Sequence, residues 1–358
     1  MSISERQQLE MFAYWRKRVT ATESGKRLWG LEPAAETRLM NQAPIYVLPQ
    51  KRVDLYAEVP LKGNVQIDLS AQYLAKDFVE ANLLAGRSVA KEGEFFHYYA
   101  QELARCKPSL PAVCSLYLEA DIDEKYAGQV ASFINLSGDF VRTLLGPVLQ
   151  YWGRQPQIVP VQHLLQTMQS ECMPWHIGFM ESRQEKPLRL VLILKQGLTG
   201  LQPMLKRIGM PPLPGEGWQL LQRIDALNLF HYMLDIDVLP DGSIGDIVGI
   251  ELLPKKEAVL PAQQEQLVTT AEYASFCKIL QDAALADRRI EGLAEAIFAT
   301  CVHETIYIYS RISHVKLRWQ AGKAMPAKAY VQLRGVPKQG CLNEALGYIR
   351  VAEDAEGE

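Results

Sequence analysis

Runs of alternating apolar and polar residues come in pairs along this chain, and stretches with apolar residues at helical spacing separate one pair from the next. The first pair is 54–59 and 65–69, joined by Leu61-Lys62-Gly63-Asn64, where Gly and Asn suit a turn. The others are 115–122 with 129–136, 175–182 with 188–195, 230–238 with 247–252 around Pro240-Asp241-Gly242, and 313–319 with 327–334. After the first pair, Leu74, Phe78, Ala81 and Ala85 mark one helix, and Phe96, Tyr99 and Leu103 a second that Pro108 and Pro111 close. Similar helical pairs run through Phe140–Tyr151 and Leu164–Met168, through Leu201–Ile208 and Trp218–Ile224, and through Tyr273–Leu280 and Leu293–Ile297. A further helix over residues 4–18 precedes the first hairpin. The chain reads as five helix-helix-hairpin units.

A repeated unit with an apolar face must pack beside its neighbours to hide it. An open sheet of ten strands would leave two edges to protect, whereas a ring leaves none. The expected fold is therefore α/β, an antiparallel ten-stranded barrel with its helices outside. It forms one domain over residues 1–350, followed by an acidic flexible tail over 351–358.

Composition allows such a core, with 48% hydrophobic and 22% charged residues in 358. A net charge of −3 leaves no basic footprint, so neither nucleic acid nor an anionic membrane is an expected partner. No apolar run approaches the ~18 residues of a membrane span, and Met1–Glu10 has no signal-peptide core. The cysteines are scattered without a Cys-x-x-Cys, which fits a reduced compartment, and the cytoplasm is the expected location.

Alternation assigns the two faces of each strand. Leu188, Leu190, Leu192 and Leu194 form an apolar set suited to lie under helices, as do Leu116, Leu118, Ala120 and Ile122. So do Tyr232, Leu234, Ile236 and Val238, and the set Val315, Leu317, Trp319, Ala327, Ala329, Val331 and Leu333. The other faces are polar: Tyr56, Glu58, Gln66 and Asp68; Tyr117, Glu119 and Asp121; His176, Arg189 and Lys195; His231, Asp235, Asp237 and Glu251; His314, Lys316, Arg318, Lys328, Tyr330, Gln332 and Arg334. A sheet with one solvated face would alternate in the same way. Closure turns that face into a lumen, whose polar groups must be solvated, paired or bound to a ligand.

The most specific local pattern is in the last hairpin. Lys316-Leu317-Arg318 and Lys328-Ala329-Tyr330 place three cations and a phenol on inward positions, a cluster shaped for a diphosphate or carboxylate. A surface ladder of ion pairs with neighbouring acids is the alternative. On unit order across residues 50–335 and on these two pairs, the chain resembles the ABBA-type prenyltransferases, or PT barrels. The resemblance implies transfer of a prenyl group from an allylic diphosphate to an aromatic or peptide side chain in natural-product biosynthesis, with the diphosphate as co-substrate and no metal or other cofactor. By the same resemblance Lys316, Arg318, Lys328 and Tyr330 bind the diphosphate and Glu58 in Tyr56-Ala57-Glu58-Val59 accepts the acceptor's proton; Arg189 is expected to help hold the diphosphate. Tyr117 and Glu119 are expected to contact the substrate.

The middle hairpins depart from that pattern, since Glu119, Asp121, Asp235, Asp237 and Glu251 stand where the resemblance calls for cations. A like-charge contact at 4 Å costs about 4 kcal/mol at an effective dielectric of 20, enough to spoil diphosphate binding unless the acids are paired. Two further readings keep the barrel. In one, Asp235 and His231 transfer protons on a peptide without metal, as an epimerase does. In the other, the acidic lumen holds a basic peptide segment without catalysis. Asp235-Ile236-Asp237 lacks further ligands at metal spacing, and the loop 240–246 fails the EF-hand rule, so no metal site is expected. Nucleophile elbow, phosphate loop and dinucleotide fingerprint are all missing.

Overall fold

The computed structural model describes residues 5–31, 36–37, 39, 53–63, 67–112, 114–120, 130–135, 140–255, 261–303 and 306–337. Alternation produces strands β1 (Val53–Pro60), β2 (Asp68–Leu74), β3 (Ser115–Ala120), β4 (Val130–Asn135), β5 (Cys172–Phe179) and β6 (Leu188–Leu194). It continues in β7 (Phe230–Val238), β8 (Ile244–Pro254), β9 (Phe298–His303), β10 (Ile306–Gln320) and β11 (Lys323–Pro337). Each of β1 to β7 pairs antiparallel with the next, β8 pairs with β10, β10 with β11, and β11 returns to β1. Ten strands thus close into one barrel. The closing register runs from Val53↔Gly335 to Pro60↔Lys328, which answers the choice between a solvated sheet and a lumen.

Helices α1 (Glu5–Val19), α2 (Glu23–Trp29), α3 (Ala90–Cys106), α4 (Phe140–Tyr151) and α5 (Ile158–Thr167) come from the first half. Helices α6 (Leu201–Arg207), α7 (Gly215–Asp225), α8 (Pro261–Leu267) and α9 (Ala271–Asp282) come from the second. They cover the outside because the strands' apolar faces need burial. Leu116, Leu118, Leu190, Leu234, Ile250, Leu317 and Val331 are all at most 3% exposed. Local signals set the ends: Thr22 caps α2 by accepting from the Gly25 amide, and Thr270 caps α9 by accepting from Tyr273. The β10–β11 turn, Ala321-Gly322, has both residues at positive φ (47° and 77°), as a two-residue type I′ hairpin requires.

Three expectations change. Residues 74–85 do not form an α-helix: Leu74 ends β2, which runs to it from Asp68 rather than over 65–69, and Phe78 closes a short 3-10 turn. Tyr73 and Phe78 then pack edge-on at 5.8 Å against the barrel's outside, so the apolar spacing belongs to a strand and a turn. The last hairpin is much longer than 313–334, because β10 begins at Ile306. Finally, residues 298–303, rich in β-preferring types, form an eleventh strand on β10 after a 3-10 segment that holds Leu293. Gln66, Asp121, Ile122 and the tail 351–358 lie outside the described residues.

The N-terminal segment locks onto this last hairpin. Trp15 is 1% exposed, and its Nε1 donates to Ser310 Oγ at 3.1 Å and more weakly to the Ala296 carbonyl at 3.4 Å. Its ring lies 5.5 Å from Trp29 and 5.7 Å from Phe12. Trp15→Ala is expected to cost about 3–5 kcal/mol of stability in chemical denaturation, the range for deleting a buried large aromatic.

Candidate active site in the barrel lumen

Inward side chains from nearly every strand of the barrel line a cavity of ≈ 160 Å³. One arc is apolar and comes from β4 to β8: Phe133, Trp175, Val191, Met233 and Leu253. The opposite arc is polar and aromatic: Tyr56, Ser70, Tyr117, Glu119, His314, Lys316 and Tyr330, with His176 and Glu251 at the seams. Tyr117 meets His176 edge-on at 5.1 Å, and His314 stacks on Tyr330 at 4.0 Å. Strict alternation would send either Trp175 or His176, and either Ser313 or His314, outward. Register shifts between Pro174 and His176 and between Ile312 and His314 bring both members of each pair inward.

In and behind the cavity wall the charged side chains bind one another. Lys316 meets Asp235 on β7 and Glu251 on β8, the latter at 3.2 Å. Lys328 and the Tyr330 hydroxyl both donate to Glu58. Arg189 forms a two-point pair with Asp237, at 2.8 and 2.9 Å. Arg334 donates to Asp54, and Gln332 donates to Asp54 and Tyr56. Register puts Lys316 opposite Lys328, so the two lysines share one level of the lumen. Gly249, opposite both Asp235 and Arg318, makes this layer possible, since a Cβ there would come within 2.9 Å of the Asp235 Cβ. Arg318 Nε is buried and has no hydrogen-bond partner among the described residues.

This pairing sets the protonation states. Burial pushes Glu58 up, but the Lys328 charge and the hydrogen bonds from Lys328 and Tyr330 outweigh it, and the carboxyl sits at about 2. A carboxylate so held is a weak base. Burial and then the Glu251 charge raise Asp235 in spite of Lys316 and Arg189, and neither of its oxygens receives a well-directed hydrogen bond. Burial depresses His314 to about 3, with Lys316 adding to it, and burial depresses His176 likewise. Burial and the Glu58 charge raise Tyr330 well above the usual phenol range, so it remains a donor.

Of the residues singled out from sequence, Tyr117, Glu119, Lys316 and Tyr330 line the cavity, while Glu58, Asp235, Arg189, Arg318 and Lys328 lie outside its lining. His231 is corrected. It is exposed at the barrel's rim, four residues and about 13 Å of strand from Asp235, because it stands one residue inside the start of β7. Lys195 points away as well, donating to the Gln169 carbonyl at 2.6 Å. Sequence reasoning did not find Phe133, Trp175, Ser70, Val191, Met233 or Leu253. Pro174, which breaks a strand's ladder, was the signal for Trp175. Among the described residues no group of three His, Cys, Asp or Glu could hold a metal, and no helix is long and apolar enough to cross a membrane.

No protein-family description and no curated protein matches the chain. Its fold does match solved structures. Prenyltransferase PriB in its apo form superposes with a TM-score of 0.51 at 10% identity, covering 92% of this chain and 96% of that one. AnaPT from Neosartorya fischeri gives 0.53 at 8% identity, covering 91% and 93%. The expected PT-barrel architecture is therefore the one this chain adopts.

The depressed histidines give a pH dependence. Below their unfolded value of 6.5, the unfolded chain binds protons that folded His176 and His314 refuse until about pH 3, so stability falls as pH drops through that window. The loss should be roughly 1.5 kcal/mol per histidine between pH 6.5 and about 5 in urea melts, and a double His176→Phe, His314→Phe variant should flatten it. Glu58, held at about 2 against 4.5, adds a loss only below about pH 4.5.

Proposed function

Starting from a PT-barrel fold, we propose that this chain joins an allylic group, delivered as its diphosphate, to an aromatic ring of a small molecule or peptide held in the lumen. The supporting observation is Arg318, whose buried Nε lacks an acceptor among the described residues, near Glu58 and on the same strand as Lys316. A buried guanidinium donor without a partner favours an anion. In this reading the allylic C–O bond breaks as a C–C bond forms to the ring, diphosphate leaves onto Lys316, Arg318, Lys328 and Tyr330, and the ring proton passes to Glu58. Arg189 contributes its field rather than contact, since Asp237 takes its Nε and Nη2 donors. In this reading side chains, rather than a metal, would supply the positive charge that meets the diphosphate. Glu58 becomes a competent base only when diphosphate draws Lys328 away from it.

One observation favours a second reading: Lys316, Lys328, Arg189 and Arg334 each already hold a carboxylate. A lumen neutralised in this way suits an uncharged or basic peptide, with Asp235 and Glu251 exchanging a proton with its backbone as an epimerase does, or with binding alone. Calorimetry with dimethylallyl diphosphate separates the two. The first reading requires binding that Arg318→Met weakens by at least roughly tenfold, about 1.4 kcal/mol, and a prenylated product by mass spectrometry with a tryptophan- or tyrosine-containing acceptor. Absence of binding abandons it, and deuterium entering a peptide α-carbon from heavy water would establish the second.

A further inference from the structure

Lys316 lines the cavity, yet two carboxylates from neighbouring strands already occupy it. Asp235 is 3% exposed, Glu251 8% and Lys316 5%, so none of the three can exchange its partner for bulk water without moving. On the reading in which diphosphate enters this lumen, the anion must take Lys316 from its acids. We propose that anion entry is coupled to proton uptake: diphosphate replaces Asp235 and Glu251 on Lys316, and a displaced carboxylate becomes a neutral carboxylic acid that takes its proton from solvent.

Among the described residues Lys316 is the cation that ion-pairs with Asp235, and Arg318, which stands across Gly249 on β10, makes no ion pair with it. On β6, Arg189 is committed to Asp237. On β8, Glu251 is a like charge, and the register partner Gly249 offers no side chain. On β10, burial and then the Lys316 charge hold His314 neutral, with its Nε2 3.7 Å from Glu251 Oε1. On its own strand, Asp237 is a second acid. An ionised Asp235 stripped of Lys316 would therefore stand buried beside Glu251 and the entering anion, whereas a protonated one stands as a hydrogen-bond donor to either. Burial and Glu251 already raise this carboxyl before any anion arrives, which makes it the group that takes the proton. Glu58 behaves differently, since Arg318 remains near it when Lys328 turns away.

The test is calorimetric titration of inorganic pyrophosphate into the full chain at about pH 8, in buffers of different ionisation heat, for the wild type, Asp235→Asn and Glu251→Gln. Comparing proteins under one condition cancels the protonation of pyrophosphate itself. The wild type should take up about one proton more than Asp235→Asn, and that variant, with an acid removed from Lys316, should bind roughly tenfold more tightly. Binding by a variant where the wild type shows none means that the acids keep the anion off Lys316, and overturns coupled entry in the native chain. Equal proton counts in all three proteins, or weaker binding by both correctly folded variants, overturns the coupling while leaving diphosphate binding in place. No binding by any of the three removes the diphosphate reading and the coupling together. Thermal melts of each protein establish that the variants are folded.

Discussion

Charge enclosed by a closed sheet has to be answered by opposite charge from the same sheet. Once β11 pairs with β1, each strand's inward residues lose access to bulk water on that side, and a lone ammonium or carboxylate there would carry a penalty of several kcal/mol. The lumen meets this demand with Lys316 between Asp235 and Glu251, Lys328 on Glu58, Arg189 on Asp237 and Arg334 on Asp54. Such pairs add little net stability over apolar packing, but breaking one of them is expensive. Most of them join adjacent strands, and Lys316 also reaches across β8 to Asp235 on β7. Burial keeps the two histidines neutral, with Lys316 adding to it at His314 and His314 adding to it at His176.

That pairing also bears on what the lumen can receive. A lumen built to receive a trianionic group would present cations in excess. Here acids from β7 and β8 reach the cations first, with Gly249 leaving space for Asp235 to do so. The fold and the wall chemistry thus carry separate information: architecture follows apolar alternation, and ligand preference follows the balance of charges on the inner face.

Fold was more legible than site, and for a physical reason. Leu188, Leu190, Leu192 and Leu194 could satisfy only a strand with one covered face, and five such hairpins had few ways to hide their edges. The faces of Glu58, Lys316, Lys328 and Tyr330 followed directly from that period. What alternation could not convey was its own interruption. Bulges at 174–176 and 312–314 put Trp175 and Ser313 on the cavity wall, and a one-residue shift leaves almost no trace in composition. Nor could a period of two show that Lys328 grips Glu58, since partners 270 residues apart meet only after closure. The helix expected at 74–85 failed because short-range apolar spacing fits a strand end followed by a tight turn as well as it fits a helix.

Strand β10 borders β8 along its later half, β9 along its earlier half, and β11 on its other side. It also receives Trp15 at Ser310 and carries His314, Lys316 and Arg318. A single inserted or deleted residue in this strand would rotate the chemical groups, break the seam with β8 and unseat the N-terminal helix at once. Substitutions can retune this wall one side chain at a time, whereas a change of length there must be absorbed by a bulge such as those β10 already carries, which re-aims the groups beside it.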